Sequence, residues 1–290
     1  MDNLLANRII EKYSTFSKGQ KKIAEYISEH YDKVAFMTAS KLGTTVGVSE
    51  STVVRFATEI GYAGYPQLQY AVQEMIRNKL TSVQRMEVTA GRVGNSDVLD
   101  FVFNQDIDVI RRTMEETSHE NFYRAVDAII ASRKIYILAA RSAQALGTFL
   151  SYYFNLLFEN VLLVQATSEG EIFEQMIRVD ERDAVIGISF PRYSRKVAKA
   201  MGFAHDRGAN VIAITDSAEA PIAKTADCLL LARSAISSIV DSLCAPLSLI
   251  NALIVATSLK KSGEIKQTFQ NLENIWDEYG VYEKVDDKSK

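Results

Sequence analysis

The chain has 290 residues, of which 47% are hydrophobic and 24% charged, and its formal net charge is −3. This length favours two domains, and the composition is that of a globular protein, which excludes a low-complexity or fibrous chain. The small negative total argues against a nucleic-acid-binding surface that covers the whole protein. It stays compatible with a basic module that lies beside an acidic one.

Cysteine and histidine usage argues against metal and redox chemistry. Cys228 and Cys244 both lie in apolar segments, which is typical of buried thiols in a reducing compartment. His30, His119 and His205 are scattered, without the spacing of metal ligands. The sequence therefore predicts no metal site and no cofactor.

No segment has the pattern of a signal peptide or a membrane span. The first residues, MDNLLANRIIEKY, carry charges throughout, unlike a secretory signal. The apolar stretch at 242–259 is interrupted by Ser, Pro, Asn and Thr, and its length barely reaches that of a bilayer. We interpret it as a buried or subunit-contacting helix, and we expect a cytoplasmic protein with no membrane partner.

Residues 1–80 are predicted to form short helices. Ile23, Tyr26, Ile27 and His30 follow the i, i+3, i+4, i+7 spacing of one helical face. The clusters KGQKK at 18–22 and RNK at 77–79 place positive charge in this part of the chain. A basic face can therefore exist here although the whole chain is acidic.

The stretch TASKLGTTVGVSESTVVRFATEI has the spacing of a helix-turn-helix. Gly43 allows two helices to touch, and Gly47 tolerates the positive φ of the turn. Ser49 is a good N-cap for the second helix, whose inward stripe is predicted to be Val53, Phe56, Ala57 and Ile60.

The outward face of this second helix is predicted to contact DNA. Short hydroxyl side chains and one arginine near a helix start suit phosphates and base edges in a major groove. The alternative is a helical hairpin with a solvated face. The predicted DNA-binding residues are Ser49, Glu50, Ser51, Thr52 and Arg55.

Residues 81–96 have weak periodicity and two glycines, which is typical of a linker. Two amphipathic helices are predicted to follow, and then short apolar runs alternate with helical segments. The runs are KIYILAA, NVLLVQ, DAVIGIS, NVIAIT and CLLLA. This alternation predicts a doubly wound α/β domain with an open parallel sheet.

Two loops of this sheet are candidates for ligand binding. In doubly wound sheets, ligands bind beyond the carboxyl ends of the strands, where successive connections diverge to opposite faces. The loops AARSAQ at 139–144 and SFPRYS at 189–194 follow the first and third predicted strands, and both carry arginine and serine.

The chain resembles the RpiR-type transcription regulators from about Leu4 to Lys260. The most specific match is the run of Ser49, Thr52, Val53, Arg55 and Phe56, followed by Gly61, Gly64 and Pro66. In that family a helical module binds operator DNA, and a sugar isomerase (SIS) domain senses a phosphorylated sugar or a related metabolite. The resemblance thus implies an all-α helix-turn-helix domain followed by an α/β doubly wound SIS-like domain.

The ligand loops depart from the SIS pattern that the resemblance implies. Typical loops read Gly-x-Gly-x-Ser and Ser-x-Ser-Gly-x-Ser/Thr, whereas Pro191 and Arg192 replace the inner Ser-Gly pair here. Arginine adds a planar donor for a carboxylate or phosphate. Either a small anion binds these loops, or Arg192 pairs with Glu169 or Glu171 and the pocket is degenerate. We favour an anion bound by Arg141, Ser142, Ser189, Arg192 and Ser194.

A sugar-phosphate isomerase with an attached DNA-binding module is the alternative function. Isomerisation needs a base beside the reacting carbons. His205 is expected at the edge of the sheet opposite the ligand loops, and Glu169, Glu171 and Glu174 have the pattern of helix-start carboxylates. We therefore predict no enzymatic activity.

The sequence predicts a transcription regulator that binds double-stranded operator DNA and senses a small anionic sugar derivative: a sugar phosphate, sugar acid or polyol phosphate. A homodimer or homotetramer is expected, with contacts through residues 97–131 and the apolar helix at 237–260, because a two-fold protein reads two half-sites. The predicted divisions are a DNA-binding domain at 1–80, a linker at 81–96, a SIS-like domain at 97–262 and a tail at 263–290.

Overall fold

The computed structural model describes residues 4–76, 80–237 and 239–283. They fall into two compact units. The first comprises the chain up to Gln105 together with Pro191–Tyr193 and Ala235–Ser242, and the second comprises Asp106–Phe190, Ser194–Ser234 and the chain from Leu243 onward. The predicted basic cluster RNK at 77–79 and residues 284–290 lie outside the described residues.

The first unit is built from short helices around one apolar core. Ile23, Leu42, Val53, Phe56 and Leu68 are fully buried in this core. Side-chain caps begin the helices α2, α3 and α4, because Ser17, Thr38 and Ser49 each accept a backbone N–H of the first turn. The helices are α1 (Leu4–Lys12), α2 (Lys18–Val34), α3 (Ala39–Val46), α4 (Glu50–Glu59), α5 (Tyr65–Met75) and α6 (Ser82–Val93).

Helix α6 occupies most of the stretch 81–96, which the weak periodicity and the two glycines predicted as a linker. Thr81 and Gln84 form a capping box at its start. Its inward face carries Arg85 beside Val88, and both are buried. Because a buried position of α6 holds an arginine, the spacing of apolar residues did not predict this helix.

The second unit contains the predicted parallel sheet, which confirms the doubly wound fold. The five strands are ordered β2-β1-β3-β4-β5, and every neighbouring pair is parallel. Their bounds are β1 (Lys134–Ala139), β2 (Val161–Val164), β3 (Asp183–Ile188), β4 (Asn210–Thr215) and β5 (Cys228–Leu231).

Helices cover both faces of the sheet. Ile135 and Ile137 of β1 pack with α8, α9 and α12, whereas Tyr136 and Leu138 of the same strand pack with α10 and α11. The connections after β1 and β3 therefore leave the sheet on opposite faces. The helices of the second unit are α8 (His119–Ala131), α9 (Gln144–Leu157), α10 (Glu169–Gln175), α11 (Arg195–His205), α12 (Cys244–Lys260) and α13 (Ser262–Glu278). Helix α7 (Val98–Glu116) precedes them and runs from the first unit, whose first segment ends at Gln105, into the second.

An ion pair anchors the start of the sheet. Asp183 at the start of β3 is fully buried. Its carboxylate accepts hydrogen bonds from Nε and Nη2 of Arg133, at 3.1 and 2.8 Å. The backbone N–H of Asp180 donates to the same carboxylate at 3.1 Å. The buried charge is therefore compensated from two directions.

The C-terminal part differs from its prediction in three ways. The helix expected at 237–260 begins only at Cys244, and an antiparallel hairpin of β6 (Ile236–Ser237) and β7 (Val240–Asp241) precedes it. Cys244 is exposed, so its predicted burial is wrong, and its Sγ donates to Asp106 at 3.1 Å. The predicted tail contains α13, whose Ile265 and Phe269 pack against the sheet core.

The described part of the chain has neither a membrane-spanning helix nor a metal-binding cluster. None of the helices in it combines the length and the apolar character that crossing a bilayer requires. The same residues contain no group of His, Cys, Asp and Glu placed to hold a metal ion.

Candidate functional sites

The helix-turn-helix is fixed by two glycines, as the spacing predicts. A Cβ at Gly43 would lie 2.8 Å from the backbone oxygen of Val48, so α3 and the turn meet at backbone contact distance. Gly47 has a φ of 73°, a conformation that disfavours residues with a Cβ. The turn between α3 and α4 therefore depends on the absence of side chains at both positions.

Helix α4 presents the predicted inward stripe to the core. Val53, Phe56 and Ala57 are fully buried, and Ile60 is almost so. Ser49 caps the helix, since its Oγ accepts the N–H of Thr52 at 3.3 Å. Its hydroxyl also lies 2.9 Å from the hydroxyl of Ser51.

The predicted DNA-binding residues lie at the exposed start and outer face of α4. Ser49, Glu50, Ser51 and Arg55 are exposed, and Thr52 is half-buried. Nε of Arg55 donates to the backbone oxygen of Ser51 at 3.3 Å. That bond holds the guanidinium along the helix, and its two terminal nitrogens keep their donors for another partner.

Two residues of this face were missed by the sequence analysis. Val54 and Thr58 are exposed on α4, three residues and seven residues after Ser51. Their helical spacing from Ser51 and Arg55 was the available signal. Val54 adds an apolar side chain to this face, the kind of group that can contact a thymine methyl.

The start of α2 lies beside the start of α4. A Cβ at Gly19 would be 3.2 Å from Cγ1 of Val48 and 3.6 Å from Cγ2 of Thr52. Lys18 and Lys22, from the predicted basic cluster, are exposed on α2. Lys18 precedes Gly19 and Lys22 follows it by three residues, so this part of α2 brings positive charge near the start of α4.

In the second unit, the turn after β1 begins with a strained arginine. Arg141 is exposed and has a φ of 58°, which costs a residue with a Cβ about 1 kcal/mol or more. Ser142 is exposed in the same 3-10 turn. Strain of this kind persists where the surrounding structure holds it, and it clusters at binding sites.

The turn leads into α9, whose first residue is Gln144. No side chain caps α9 at Ala143, and the backbone N–H of Gln144 donates to the carbonyl oxygens of Arg141 and Ser142 in the preceding turn. Nε2 of Gln144 is buried and has no hydrogen-bond partner among the described residues. This buried amide donor at the positive end of the α9 dipole favours an anion. Gln144 was missed, although its place two residues after Ser142 was a signal.

The strand register places the loops after β1 and β3 side by side, since Ala139 pairs with Ile188. The two predicted serines of the β3 loop also brace that loop. Oγ of Ser189 accepts the N–H of Ser194 at 3.2 Å, and Oγ of Ser194 accepts the N–H of Val197 at 3.4 Å. Ser189 is buried. Both hydroxyls can still donate.

Arg192 is the second residue with a Cβ in the left-handed region, with a φ of 63°. It is exposed and belongs to the segment Pro191–Tyr193 of the first unit. The glycine expected at this place by the SIS pattern would adopt the same φ without strain. The substitution therefore retains the backbone path of a glycine while adding a guanidinium.

Glu169 and Glu171 have partners of their own. Nζ of Lys199 donates to Glu169 at 2.7 Å, and that contact lowers the pKa of the Glu169 carboxyl. The backbone N–H of Thr167 donates to Glu171 at 2.8 Å, and this and the Thr167 hydroxyl lower the pKa of the Glu171 carboxyl. Both carboxylates are thus stabilised in their charged form.

Comparison with known families matches both parts of the chain. Residues 3–79 match the model of the helix-turn-helix domain of the rpiR family, and residues 128–256 match that of the SIS domain. An uncharacterised HTH-type transcriptional regulator of Caldanaerobacter subterraneus subsp. tengcongensis is 23% identical over 281 residues, which is 92% of this chain and 95% of that protein.

Two solved structures share the fold. The Vibrio vulnificus NanR protein complexed with ManNAc-6P has a TM-score of 0.58 at 19% identity, covering 96% of this chain and 99% of that chain. The sugar isomerase domain of an RpiR transcription factor from Sphaerobacter thermophilus has a TM-score of 0.56 at 24% identity, covering 60% and 96%.

A helix-turn-helix domain of the rpiR family followed by a SIS domain defines a transcription regulator. Both domains occur in the order that the sequence resemblance implied. The chain belongs to the RpiR-type regulators.

Proposed function

We propose that the protein binds operator DNA through α4 and that a small anionic sugar derivative bound at the β1 loop modulates this binding. The observation that carries the proposal is the exposed face of α4, where Ser51 and Arg55 lie outside a core closed by Val53 and Phe56. Ser49, Glu50 and Thr52 complete the proposed contact. Lys18 and Lys22 are proposed to contact phosphates beside it.

Replacing Arg55 with alanine is expected to lower operator affinity roughly ten- to hundred-fold, which is the value of one good base contact. The reason is the loss of the guanidinium donors that the described residues leave available. The measurement is fluorescence anisotropy with a duplex selected from a random library by the wild-type protein.

The matched control for Arg55 is Arg178→Ala, which removes one exposed positive charge outside the proposed DNA-binding face. Full affinity is expected for this control at every salt concentration. Wild-type affinity in a folded Arg55→Ala protein would contradict the proposed recognition face.

The proposed effector is an anion held by the exposed groups of the β1 loop. Arg141 and Ser142 provide a guanidinium and a hydroxyl, and the amides at the start of α9 favour negative charge. The β3 loop is proposed to contribute Ser189, Arg192 and Ser194 as further contacts to the anion. The ManNAc-6P bound by Vibrio vulnificus NanR supports a sugar phosphate as the first class to test.

Replacing Arg141 with alanine is expected to weaken effector binding about ten- to hundred-fold, because hydrogen bonds to charged groups contribute about 1.5–3 kcal/mol. The measurement is thermal stabilisation by a panel of sugar phosphates, sugar acids and polyol phosphates, followed by calorimetry on the compound with the largest shift.

Arg111→Ala, an exposed arginine of α7, is the matched control for Arg141, and its binding should equal that of the wild type. If no compound of the panel stabilises the wild-type protein, the regulator with a degenerate pocket becomes the better proposal.

We propose that the protein is not an isomerase. A base that abstracts a carbon-bound proton works best with a pKa near the operating pH, whereas the pKa values of Glu169 and Glu171 are lowered. His205 is the last residue of α11, so the helix carries it away from the ligand loops. Interconversion of a sugar phosphate by the purified protein would contradict this part of the proposal. The proposed location of the regulator is the cytoplasm.

The proposed regulator is a homodimer or a homotetramer. Helix α12 carries large apolar residues on its outer side as well as on its buried side, since Val255 and Leu259 are 54% and 68% exposed. A helix of this composition is normally buried, and a second copy of α12 would cover its outer face. Two copies would present two recognition helices to two half-sites.

A further inference from the structure

An arginine is buried inside the first unit, where α6 meets the hairpin β6–β7. The side chain of Arg85 is 2% exposed and that of Asp241 is 13% exposed. Nη1 of Arg85 donates to Oδ1 of Asp241 at 2.9 Å. Removing the carboxylate would take a charged partner away from a buried guanidinium, which is unfavourable. The position of α6 is therefore tied to the position of the hairpin.

The other end of α6 is tied to α5. Nη2 of Arg92 donates to Oε1 of Gln73 at 2.9 Å, and its guanidinium lies 4.4 Å from the ring centroid of Tyr70. Gln73 is buried. Its Nε2 donates to the backbone oxygen of Ala35 at 2.8 Å, so this side chain links α6 to the segment between α2 and α3.

That segment is where the helix-turn-helix begins. Nε2 of Gln69 donates to the backbone oxygen of Met37 at 2.8 Å, and the hydroxyl of Tyr65 donates to the same oxygen at 2.8 Å. Burial raises the pKa of Tyr65, so its hydroxyl remains a donor. The next residue, Thr38, caps α3. The start of α3 is therefore held by side chains of α5.

We propose that Arg85, Asp241, Arg92 and Gln73 are positioning residues that form a polar relay from the hairpin to the start of α3. The hairpin follows β5 and Ser234 directly in the chain and precedes α12. A shift of this segment would move Asp241, then α6 through Arg85, and then the Ala35–Met37 turn through Gln73. The relay gives the effector domain a covalent and polar route to the recognition helix, so its regulatory meaning rests on the proposed function.

Buried polar contacts suit this task, because they have one satisfied arrangement and resist gradual deformation. An apolar contact between α6 and the hairpin would allow the two to slide. Coupling through a relay requires a demonstrated energetic link between its two ends, and the following experiment measures that link.

The test is hydrogen–deuterium exchange on the full chain with Asp241→Asn, which keeps the side-chain shape and removes the charge. The relay predicts that amides of residues 39–43 exchange about ten-fold faster, the size of an ordinary coupling between sites. Asp241→Glu, which retains the carboxylate, should restore most of the protection. Arg92→Lys, at the far end of α6, should give the same pattern without touching the hairpin.

Val240→Thr is the control, because Val240 is an exposed neighbour of Asp241 on the hairpin, and its exchange should match the wild type. If Asp241→Asn alters exchange only in the hairpin and α6, and residues 39–43 keep their protection, the relay is wrong. Equal acceleration throughout the first unit would point to general destabilisation of that unit and would also overturn the relay.

Operator binding provides the second arm. Asp241→Asn should bind the selected duplex about ten-fold more weakly, with an unchanged dependence on salt, because no phosphate contact is lost. A reduced salt slope would mean that the hairpin contacts DNA directly and would contradict the relay. If the wild-type protein selects no duplex at all, operator binding fails, while the exchange experiment still decides the relay.

Discussion

Replacing Gly43 with alanine is expected to destabilise the first unit by about 1–3 kcal/mol and to abolish operator binding. The new Cβ would stand 2.8 Å from the oxygen of Val48, 3.3 Å from the carbonyl carbon of Ser49 and 3.3 Å from the nitrogen of Glu50. All three atoms belong to the backbone, so no side-chain rotation relieves the clash. The turn and the start of α4 must move away from α3.

Two measurements test the Gly43→Ala protein: thermal unfolding and anisotropy with the selected duplex. The control is Gly91→Ala in α6, where a Cβ would meet nothing within 4 Å. Since alanine is the better helix former, this control should gain up to about 1 kcal/mol of stability and bind DNA normally. A Gly43→Ala protein with wild-type stability and affinity would show that α3 and the turn are not in backbone contact.

Replacing Arg133 with methionine is expected to lower the free energy of unfolding of the second unit by about 2–3 kcal/mol. Of the described residues, the buried carboxylate of Asp183 would keep only the N–H of Asp180 as a partner. The loss should stay below that of a fully buried pair, because the Arg133 side chain is 41% exposed. Urea denaturation followed by circular dichroism measures it.

Arg182→Met is the matched control, since Arg182 lies beside the same carboxylate cluster with a side chain that is 62% exposed. It pairs with Asp180, and an exposed pair contributes between about 0 and 1 kcal/mol. Equal losses in the two variants would show that burial of Asp183 does not determine the strength of its contact with Arg133.

The sheet could be predicted because its strands are short, apolar and separated by helical segments. The runs containing Ile135, Ile186 and Ile212 became β1, β3 and β4, with one face on each layer of helices. Helix α6 and the hairpin could not be predicted, since their inward positions carry Arg85 and Asp241. Two polar residues that are buried and bonded to each other cannot be detected from the spacing of apolar residues.

The exposed face of α4 was predictable, because the glycine spacing fixes which side of the helix is covered. The arrangement of the proposed anion site was only partly predictable. Sequence identified Arg141 and Ser142, but a strand register was needed to set the β1 loop beside the β3 loop. Only the structure shows that the Ser189 and Ser194 hydroxyls support the loop backbone, and that the Gln144 amide is buried without a described partner.

Arg141 and Arg192 both have left-handed backbone, so selection for stability and selection for ligand response should favour different residues at these two positions. Glycine would occupy both positions with less strain, so a screen that scores only expression or thermal stability should enrich glycine there. A screen that scores gene regulation should retain arginine at each position that contributes to effector binding. Comparing the frequency of arginine and glycine at each position in the two screens would show how much each arginine contributes to effector binding, before the effector is identified.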